Sequence, residues 1–393
     1  MMSNGFKLTI AAAGVALALG GVEASHFRGG VMIPSISAGG LLTVNATTYW
    51  RPTGVADIDE GGAIALSGSQ SGSLTQVGAQ VNDTSDTRFT RVTSVHQVQL
   101  TGPGTFNLAA SSCCRVSGIS NFAGGSSTTW TLNSQIVWDG SSATTPVSFN
   151  IQSIQPEVVR GGTYTGNLGA VGGPGLTLSY DQALNPVIAS QPPGFTINTS
   201  TGALNIPAAS TTVANYPDNP SGNIGADVSF SGNIFARNAA GQQVAQVEFE
   251  WLFDGVAQGS TNLAPVGNDA IINALLGSTV NHTFTATDDG NPNPPGSLTW
   301  LFLSFLGGGA VNAPTFNPAT QQFTWDSTGS PAGQYVAQVQ VSDSALTDIV
   351  LLTINVGQQP PPPGKIPEPG TLSLLGLALA GLGFGIRRKT RRS

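Results

Sequence analysis

The chain has 393 residues, a formal net charge of −7 and 9% charged residues, against roughly 25% in ordinary soluble proteins. The negative charge and the lack of a basic stripe exclude an ordinary nucleic-acid binder, and 40% hydrophobic residues exclude a wholly disordered chain. With 51 glycines and 25 prolines, the composition favours an all-β protein outside the cytoplasm.

The N-terminus has the features of a secretory signal. Lys7 supplies a positive charge, an apolar run follows from Leu8 to Leu19, and the small residue Ala24 precedes Ser25. The run is shorter than the about 20 residues that a membrane-spanning helix needs. We therefore predict a signal peptide over residues 1–24 that is cleaved between Ala24 and Ser25.

Residues 25–152 form a β-rich domain that resembles no family we identify. Its clearest strand places alternate residues on one face, as a half-buried strand requires: Leu42, Val44, Ala46, Thr48 and Trp50. Five of the six tryptophans could stack on sugars, but at alternating strand positions they are more typical of a core: Trp130, Trp138, Trp251, Trp300 and Trp325.

The chain contains two cysteines, and they are adjacent. Cys113 and Cys114 have Cα atoms about 3.8 Å apart, below the usual range for a disulfide. Three states remain open: a strained vicinal disulfide, two free thiols, or a bridge between molecules. A framework of several disulfides is excluded by the count.

A repeated hairpin links the two later segments of the chain. The pattern Thr196 to Leu204 returns at Thr315 to Phe323, with asparagine opening each turn. Gly202 suits the positive φ that the chain reversal requires. Alternating strands surround the repeats, and the first of them points Glu248 and Glu250 away from the core. The apolar members of these strands are Val247, Phe249, Trp251, Phe253; Tyr335, Ala337, Val339, Val341; and Val350, Leu352, Ile354, Val356.

The hairpins and their flanking motifs resemble bacterial Ig-like and cadherin-like modules. The later segment matches more fully, with Phe284–Gly290, Ala332–Tyr335 and Val341–Asp343 in the family's order. The resemblance implies tandem β-sandwiches. The predicted divisions are 1–24 signal peptide, 25–152 β-rich domain, 153–260 Ig-like sandwich, 261–356 Ig-like or cadherin-like sandwich, 357–366 Pro-rich linker and 367–393 sorting tail.

The delivered body is acidic. Residues 25–366 carry eight basic residues against 19 acidic ones, and residues 238–364 contain no Lys or Arg. We expect no non-specific binding to anionic polymers. By analogy with cadherin-like modules, loop aspartates are candidate calcium ligands, although the full ligand motif of that family is absent and plain solubilising acids are the alternative. The candidates are Asp288, Asp289, Asp343 and Asp348.

No catalytic constellation emerges from the sequence. The three histidines have no metal-ligand spacing, and no nucleophile motif occurs. The densest early acidic cluster, Asp57, Asp59 and Glu60, is typical of a solvated loop. We predict a non-enzymatic protein that needs no cofactor apart from the calcium considered above.

The C-terminus consists of three linked parts. A Pro-Glu-Pro segment at Pro367, Glu368 and Pro369 precedes an uncharged apolar stretch from Gly370 to Ile386. As a helix this stretch nearly spans a bilayer, and the basic end stays cytoplasmic by the positive-inside rule. The basic residues of this end are Arg387, Arg388, Lys389, Arg391 and Arg392.

This tail resembles the PEP-CTERM sorting signal. The resemblance implies an exosortase-type processing enzyme as partner, transient insertion in the inner membrane, cleavage near Pro367–Pro369 and delivery to the cell surface. Such hosts commonly make exopolysaccharide. We therefore expect a structural or adhesive surface or matrix protein, associated with exopolysaccharide or other surface proteins. Two alternatives are a carbohydrate-binding protein with its site in residues 25–152, and a glycoside-acting hydrolase.

Overall fold

A computed structural model describes residues 27–51, 63–86, 88–112, 115–116, 119–121, 129–154, 157–183, 191–212, 228–256, 262–291, 297–307 and 309–357. The predicted all-β class is confirmed, since 27 strands and two short 3₁₀ helices make up the regular structure of these residues. We divide them into an N-terminal unit (residues 27–146), a first module (residues 147–256) and a second module (residues 262–357).

The N-terminal unit contains nine strands. They are β1 Phe27–Ile36, β2 Leu41–Trp50, β3 Ala65–Gly68, β4 Gly72–Ser73, β5 Thr75–Gln76, β6 Val81–Asp83, β7 Thr90–Gln99, β8 Gly104–Ser112 and β9 Trp130–Trp138. Their core includes the face predicted for β2, because Leu42, Val44 and Trp50 are buried there and Ala46 packs against them.

The first module has nine further strands. They are β10 Val147–Ser148, β11 Glu157–Val159, β12 Tyr164–Asn167, β13 Val171–Gly172, β14 Thr177–Gln182, β15 Thr196–Ile197, β16 Ala203–Ile206, β17 Val228–Arg237 and β18 Gln243–Val256. The 3₁₀ helices Ile151–Ser153 and Ala208–Thr211 lie between them.

The second module repeats this layout. Its strands are β19 Val266–Gly267, β20 Ala270–Leu275, β21 Thr279–Thr283, β22 Ala286–Thr287, β23 Thr299–Leu306, β24 Thr315–Asn317, β25 Gln322–Asp326, β26 Gly333–Ser342 and β27 Thr347–Gly357. The sheet β20-β27-β26-β23 corresponds to β11-β18-β17-β14, and in both the first pair is parallel. The small sheets β21-β25-β24 and β19-β22 correspond to β12-β16-β15 and β10-β13.

The repeated hairpins have the predicted geometry. In the first, the Asn198 side chain accepts the amides of Ser200 and Thr201, and Gly202 has φ of 70°. In the second, Asn317 accepts the amide of Ala319. The position of Gly202 is there occupied by Gln321, which adopts φ of 56° despite its side chain. Asparagine is therefore the shared turn-former, and glycine is not required.

Strand β18 joins the N-terminal unit to the first module. One edge pairs with β17, and the other pairs in turn with β9, β1 and β11. Strands on both sides of the predicted boundary at residue 153 therefore belong to one sheet, and the boundary itself stays a prediction. Alternate residues of β1 enter two cores, with Met32 facing the N-terminal unit and Val31 facing the first module.

The predicted burial of β18 needs a correction. Val247, Phe249 and Trp251 enter the core of the first module as expected. Glu248 and Glu250 point the other way as predicted, but they are also buried, because segments of the N-terminal unit cover that face. The strand is thus buried on both faces.

Candidate functional site

Several residues predicted to be functional lie outside the described residues. These are the cleavage pair Ala24 and Ser25, the cysteines Cys113 and Cys114, and the sorting residues Pro367, Glu368, Pro369, Arg387, Arg388, Lys389, Arg391 and Arg392. The structural site that follows is built from the charged residues of the described body.

The four calcium candidates do not form one group. The charges of Asp289 and Asp343 act on Asp288, whose pKa is raised mainly by burial. Asp348 has other neighbours and accepts the Gly267 amide at 2.7 Å. Asp343 accepts two amides of its own turn. Among the described residues, no three His, Cys, Asp or Glu side chains are arranged to hold a metal ion. The hydrogen bonds of these aspartates do not test calcium binding, which stays a prediction.

A buried ionic cluster joins all three parts of the body. We call Arg28, Asp86, Arg88, Glu157, Asp254, Thr347 and Asp348 the junction cluster. Arg28, Asp86 and Arg88 come from the N-terminal unit, Glu157 and Asp254 from the first module, and Thr347 and Asp348 from the second. Few charges exist in this chain, so their concentration at one buried place gives the cluster a structural role.

Arg88 is the centre of the junction cluster. Its guanidinium binds Asp86 through Nε at 2.9 Å and Nη2 at 2.7 Å, and reaches Glu157 at 3.4 Å. Nη2 also donates to the carbonyl oxygen of Thr347 at 2.6 Å. The Thr347 hydroxyl donates to Asp86 at 2.7 Å, which closes a ring between the N-terminal unit and the second module.

Burial sets the protonation behaviour of the junction. Burial alone would lower the pKa of Arg88, but the carboxylates of Asp86 and Glu157 outweigh it and raise that pKa. For Arg28 burial prevails, and the pKa is lowered despite the charge of Asp254. Burial raises the pKa of Asp348 to about 7. Arg88 therefore remains cationic, while Asp348 titrates near neutrality.

A second buried ion pair fixes the N-terminal unit on β18. Arg115 binds Glu250 in bidentate fashion, with Nε–Oε1 and Nη2–Oε2 distances of 2.5 Å. Both side chains are fully buried, and Arg115 Nη1 also donates to the carbonyl oxygen of Thr129. Burial raises the pKa of Glu250, and Arg115 opposes that shift. Breaking such a pair from one side leaves an uncompensated buried charge, typically costing about 3–5 kcal/mol.

In both modules the same face of the four-stranded sheet contacts the part of the chain that precedes the module, but the contacts differ in chemistry. The Val256 carbonyl accepts the Arg160 amide, and the Gly357 carbonyl accepts the Leu276 amide, which aligns β18 with β27. Six residues earlier in each strand stand Glu250 and Leu351. Glu250 pairs with Arg115, whereas Leu351 clusters with Val171 of the first module and with its own neighbours Val336 and Ile349. One contact is ionic and the other is apolar.

A groove of about 550 Å³ lies between the N-terminal unit and the first module. Trp138, Asp139 and Thr105 contribute from one side, and Asn238 and Gln242 from the other. The Trp138 indole donates to the Ser142 carbonyl, and only 7% of the residue is exposed. The amides of Ser142 and Ser141 lower the pKa of Asp139 to about 2. The groove thus offers an ionised carboxylate, amides and hydroxyls above a largely buried aromatic ring.

Sequence reasoning did not identify the buried arginines as a group. Arg28, Arg88 and Arg115 are single basic residues without a motif, and their carboxylate partners are up to 226 residues away, as for Arg28 and Asp254. The sequence feature that could have identified them is the small number of basic residues. In a body with eight basic residues, each arginine has a high chance of a structural partner.

The described residues contain no helix long and apolar enough to cross a membrane. The predicted tail helix lies beyond them, and there a sequence comparison is informative. The family described as the PEP-CTERM protein-sorting motif matches residues 365–389. The match includes the Pro-Glu-Pro segment and the basic residues as far as Lys389, and it confirms the predicted sorting signal. No curated protein matches the chain.

Solved structures with a similar arrangement share little sequence with the chain. The Ig1-2 module of the Drosophila receptor tyrosine phosphatase DLAR is 14% identical, covering 54% of this chain and 99% of its own, with a TM-score of 0.22. The tandem Ig repeats of Dlar are 16% identical, covering 55% and 99%, with a TM-score of 0.20. An endo-fucoidan hydrolase of glycoside hydrolase family 107 is 13% identical, covering 86% and 45%, with a TM-score of 0.21. At these scores the sandwich assignment depends on the sheets described above.

Proposed function

We propose that this chain, which ends in a PEP-CTERM sorting motif, is a non-enzymatic structural or adhesive protein of the cell surface or extracellular matrix. The observation that carries the proposal is the sorting motif at residues 365–389, attached to an all-β body. The motif marks the chain for export and membrane-linked sorting. An exosortase-type enzyme then cleaves the tail near Pro367–Pro369, and the body is delivered outside.

The arrangement of charges supports a structural role for the body. The carboxylates of Glu157 and Glu250 in the first module bind Arg88 and Arg115 of the N-terminal unit, and Asp86, beside Arg88, accepts the Thr347 hydroxyl of the second module. These contacts hold the N-terminal unit against both modules without disulfides between distant residues. A surface protein exposed to mechanical load needs this kind of fixed contact between its sandwiches.

The proposed association with exopolysaccharide needs neutral chemistry. Residues 238–364 contain no basic residue, so non-specific attraction cannot hold an anionic polymer there. Hydrogen bonds from amides and hydroxyls, which the body has in excess, are the contacts that the proposal requires. Calcium, if bound by the predicted aspartates, would add a bridging charge.

Intact-mass measurement of the protein from each cell fraction and the medium tests the proposal. We expect an extracellular species that begins at Ser25 and ends near Pro367. A variant in which Pro367, Glu368 and Pro369 are replaced by alanine should keep its tail and stay in the inner membrane. Retention of the wild-type chain with a full-length tail in that membrane would contradict the proposal.

Carbohydrate binding is the second candidate, and the groove is the observation that favours it. Its ionised Asp139, the amides of Asn238 and Gln242 and the hydroxyl of Thr105 are groups that hydrogen-bond sugars. Calorimetric titration of the purified protein with exopolysaccharide fragments from its own host tests this. Binding that Asp139→Ala weakens at least tenfold, while Asp326→Ala does not, would support it; equal binding by both variants would not.

A further inference from the structure

The four-stranded sheet of the second module ends in two open edges. Strand β20 forms one edge and β23 the other, and no described strand pairs with either outer side. An open edge presents a row of unpaired backbone donors and acceptors, which can pair with a strand of another chain. Proteins usually block such edges with charges, prolines or short strands.

Neither edge in the second module is blocked by a charge or a proline, and β23 has a register shift between Phe302 and Ser304. Strand β20 reads Ala-Ile-Ile-Asn-Ala-Leu and β23 reads Thr-Trp-Leu-Phe-Leu-Ser-Phe-Leu, without a charge or proline in either. The corresponding edges of the first module differ. Strand β11 carries Glu157, which is bound by Arg88, and β14 carries the exposed Asp181. The two modules share a topology, so their contrast in edge charge is a property of sequence and not of the fold.

Both open edges also expose large apolar side chains on the same face of the sheet. Ile272 of β20 and Trp300 and Phe302 of β23 pack against the module core. Their alternating neighbours therefore point outward: Ile271 is 69% exposed, Leu275 49% and Leu301 57%. If β23 of one chain lies beside β20 of another, these side chains become lateral neighbours on one continuous face.

We infer that the second module is a self-association site, in which β23 pairs with β20 of a second copy of this chain. The partner is a second copy of this chain, because the same sheet contains both strands that the contact needs. Each of β20 and β23 has an uncharged edge and exposed apolar side chains. A contact between two different edges is heterologous and leaves one edge open at each end. Copies would therefore add one after another and build a multimer.

This inference deepens the proposed structural role and rests on it. Multimers that grow through sheet edges would give a surface or matrix protein its cohesion. The sorting experiment and the association experiment are independent, however. If the chain is exported but the purified protein is monomeric, only the inference is contradicted. If the purified protein associates but the chain in the cell keeps its tail in the inner membrane, the proposed function is contradicted.

Sedimentation velocity of the full chain in mild detergent tests the association. The wild type should form species larger than a monomer, in amounts that increase with concentration. Leu301→Lys blocks β23, Ile271→Lys blocks β20, and each variant alone should sediment as a monomer. Val311→Lys places the same charge at a 65% exposed residue outside both strands and should behave as the wild type. Circular dichroism of each variant checks that it is folded.

Mixing the two blocked variants provides the decisive measurement. The Ile271→Lys chain retains β23 and the Leu301→Lys chain retains β20, so an equimolar mixture should form a one-to-one dimer and nothing larger. A monomeric wild type would overturn the inference. So would association of either blocked variant alone, which would indicate pairing of identical edges or association through the tail, and so would a mixture that stays monomeric.

Discussion

The Arg88 guanidinium donates a hydrogen bond of 2.6 Å to the carbonyl oxygen of Thr347, the first residue of the last strand. The two residues are 259 positions apart in the chain. Because Thr347 in turn donates to Asp86, which also binds Arg88, this contact holds β27 to the N-terminal unit through three groups. The junction cluster therefore couples the start of the body to its end.

Replacing Arg88 by methionine should destabilise the body strongly. The buried carboxylate of Asp86 and the partly buried carboxylate of Glu157 would remain without their cation, and we expect a loss of about 3–5 kcal/mol in the free energy of unfolding. Urea unfolding measures it. Arg237→Met is the matched control, since Arg237 bonds a turn carbonyl at the surface, and its effect should stay within about 0.5 kcal/mol. Equal effects would contradict the role assigned to Arg88.

The Arg115–Glu250 pair should show strong coupling in a double-mutant cycle. Arg115→Met and Glu250→Leu each leave one buried charge alone, whereas the double variant replaces the pair with apolar groups. The aligned residue of the second module is already leucine, Leu351, so the sheet face accepts an apolar contact. The double variant should unfold at a higher urea concentration than either single variant. Additive losses would show that the pair is not a unit.

Stability should fall as pH rises from about 4.5 to 7. Burial raises the pKa of Glu248 to about 6, with the charge of Glu250 adding to it. A carboxyl group with a raised folded pKa stabilises the fold fully below its unfolded pKa, and this contribution is lost as pH rises through 6. For Glu248 the change amounts to about 2 kcal/mol. Asp269 and Asp348, with pKa values raised to about 6 and about 7, act in the same direction.

Glu248→Gln isolates the contribution of that residue. Glutamine can still accept the hydrogen bond from Asn133 but does not ionise. The difference between the free energies of unfolding at pH 5 and pH 8 should therefore be smaller by about 1 kcal/mol in the variant than in the wild type, because part of the contribution is already lost at pH 5. The matched control is Asp326→Asn, which makes the same change from carboxyl to amide at an exposed residue and should leave the pH dependence as in the wild type. A variant with an unchanged pH dependence would refute the assignment.

The two hairpins should respond unequally to exchange of their positive-φ residues. An added Cβ at Gly202 would lie 3.0 Å from the Tyr180 ring, and φ of 70° disfavours a side chain. We expect Gly202→Ala to cost more than about 1 kcal/mol in urea unfolding. Gln321→Gly relieves the backbone but adds freedom to the unfolded chain, so it should change stability by less than about 1 kcal/mol. Similar losses in both would contradict this reading.

Local pattern predicted much of this fold because strand alternation and turn chemistry depend on near neighbours. The inward residues Val247, Phe249 and Trp251 and the turn residue Asn198 followed from spacing alone. Spacing cannot reveal what covers the other face of a strand. Glu250 is buried by Arg115, 135 residues earlier, and no local pattern records that contact. The junction cluster escaped prediction for the same reason.

The sheet order also determines how early in synthesis each strand can find its partners. Strand β1 begins at Phe27, close to the predicted cleavage site after Ala24, but one of its edges is completed only by residues 249–251 of β18. At roughly 5–20 residues per second of synthesis, those residues follow about 10–45 seconds later. During that interval the first strand to emerge has an unpaired edge. A periplasmic chaperone that shields extended segments would have its longest opportunity there, before the body becomes compact.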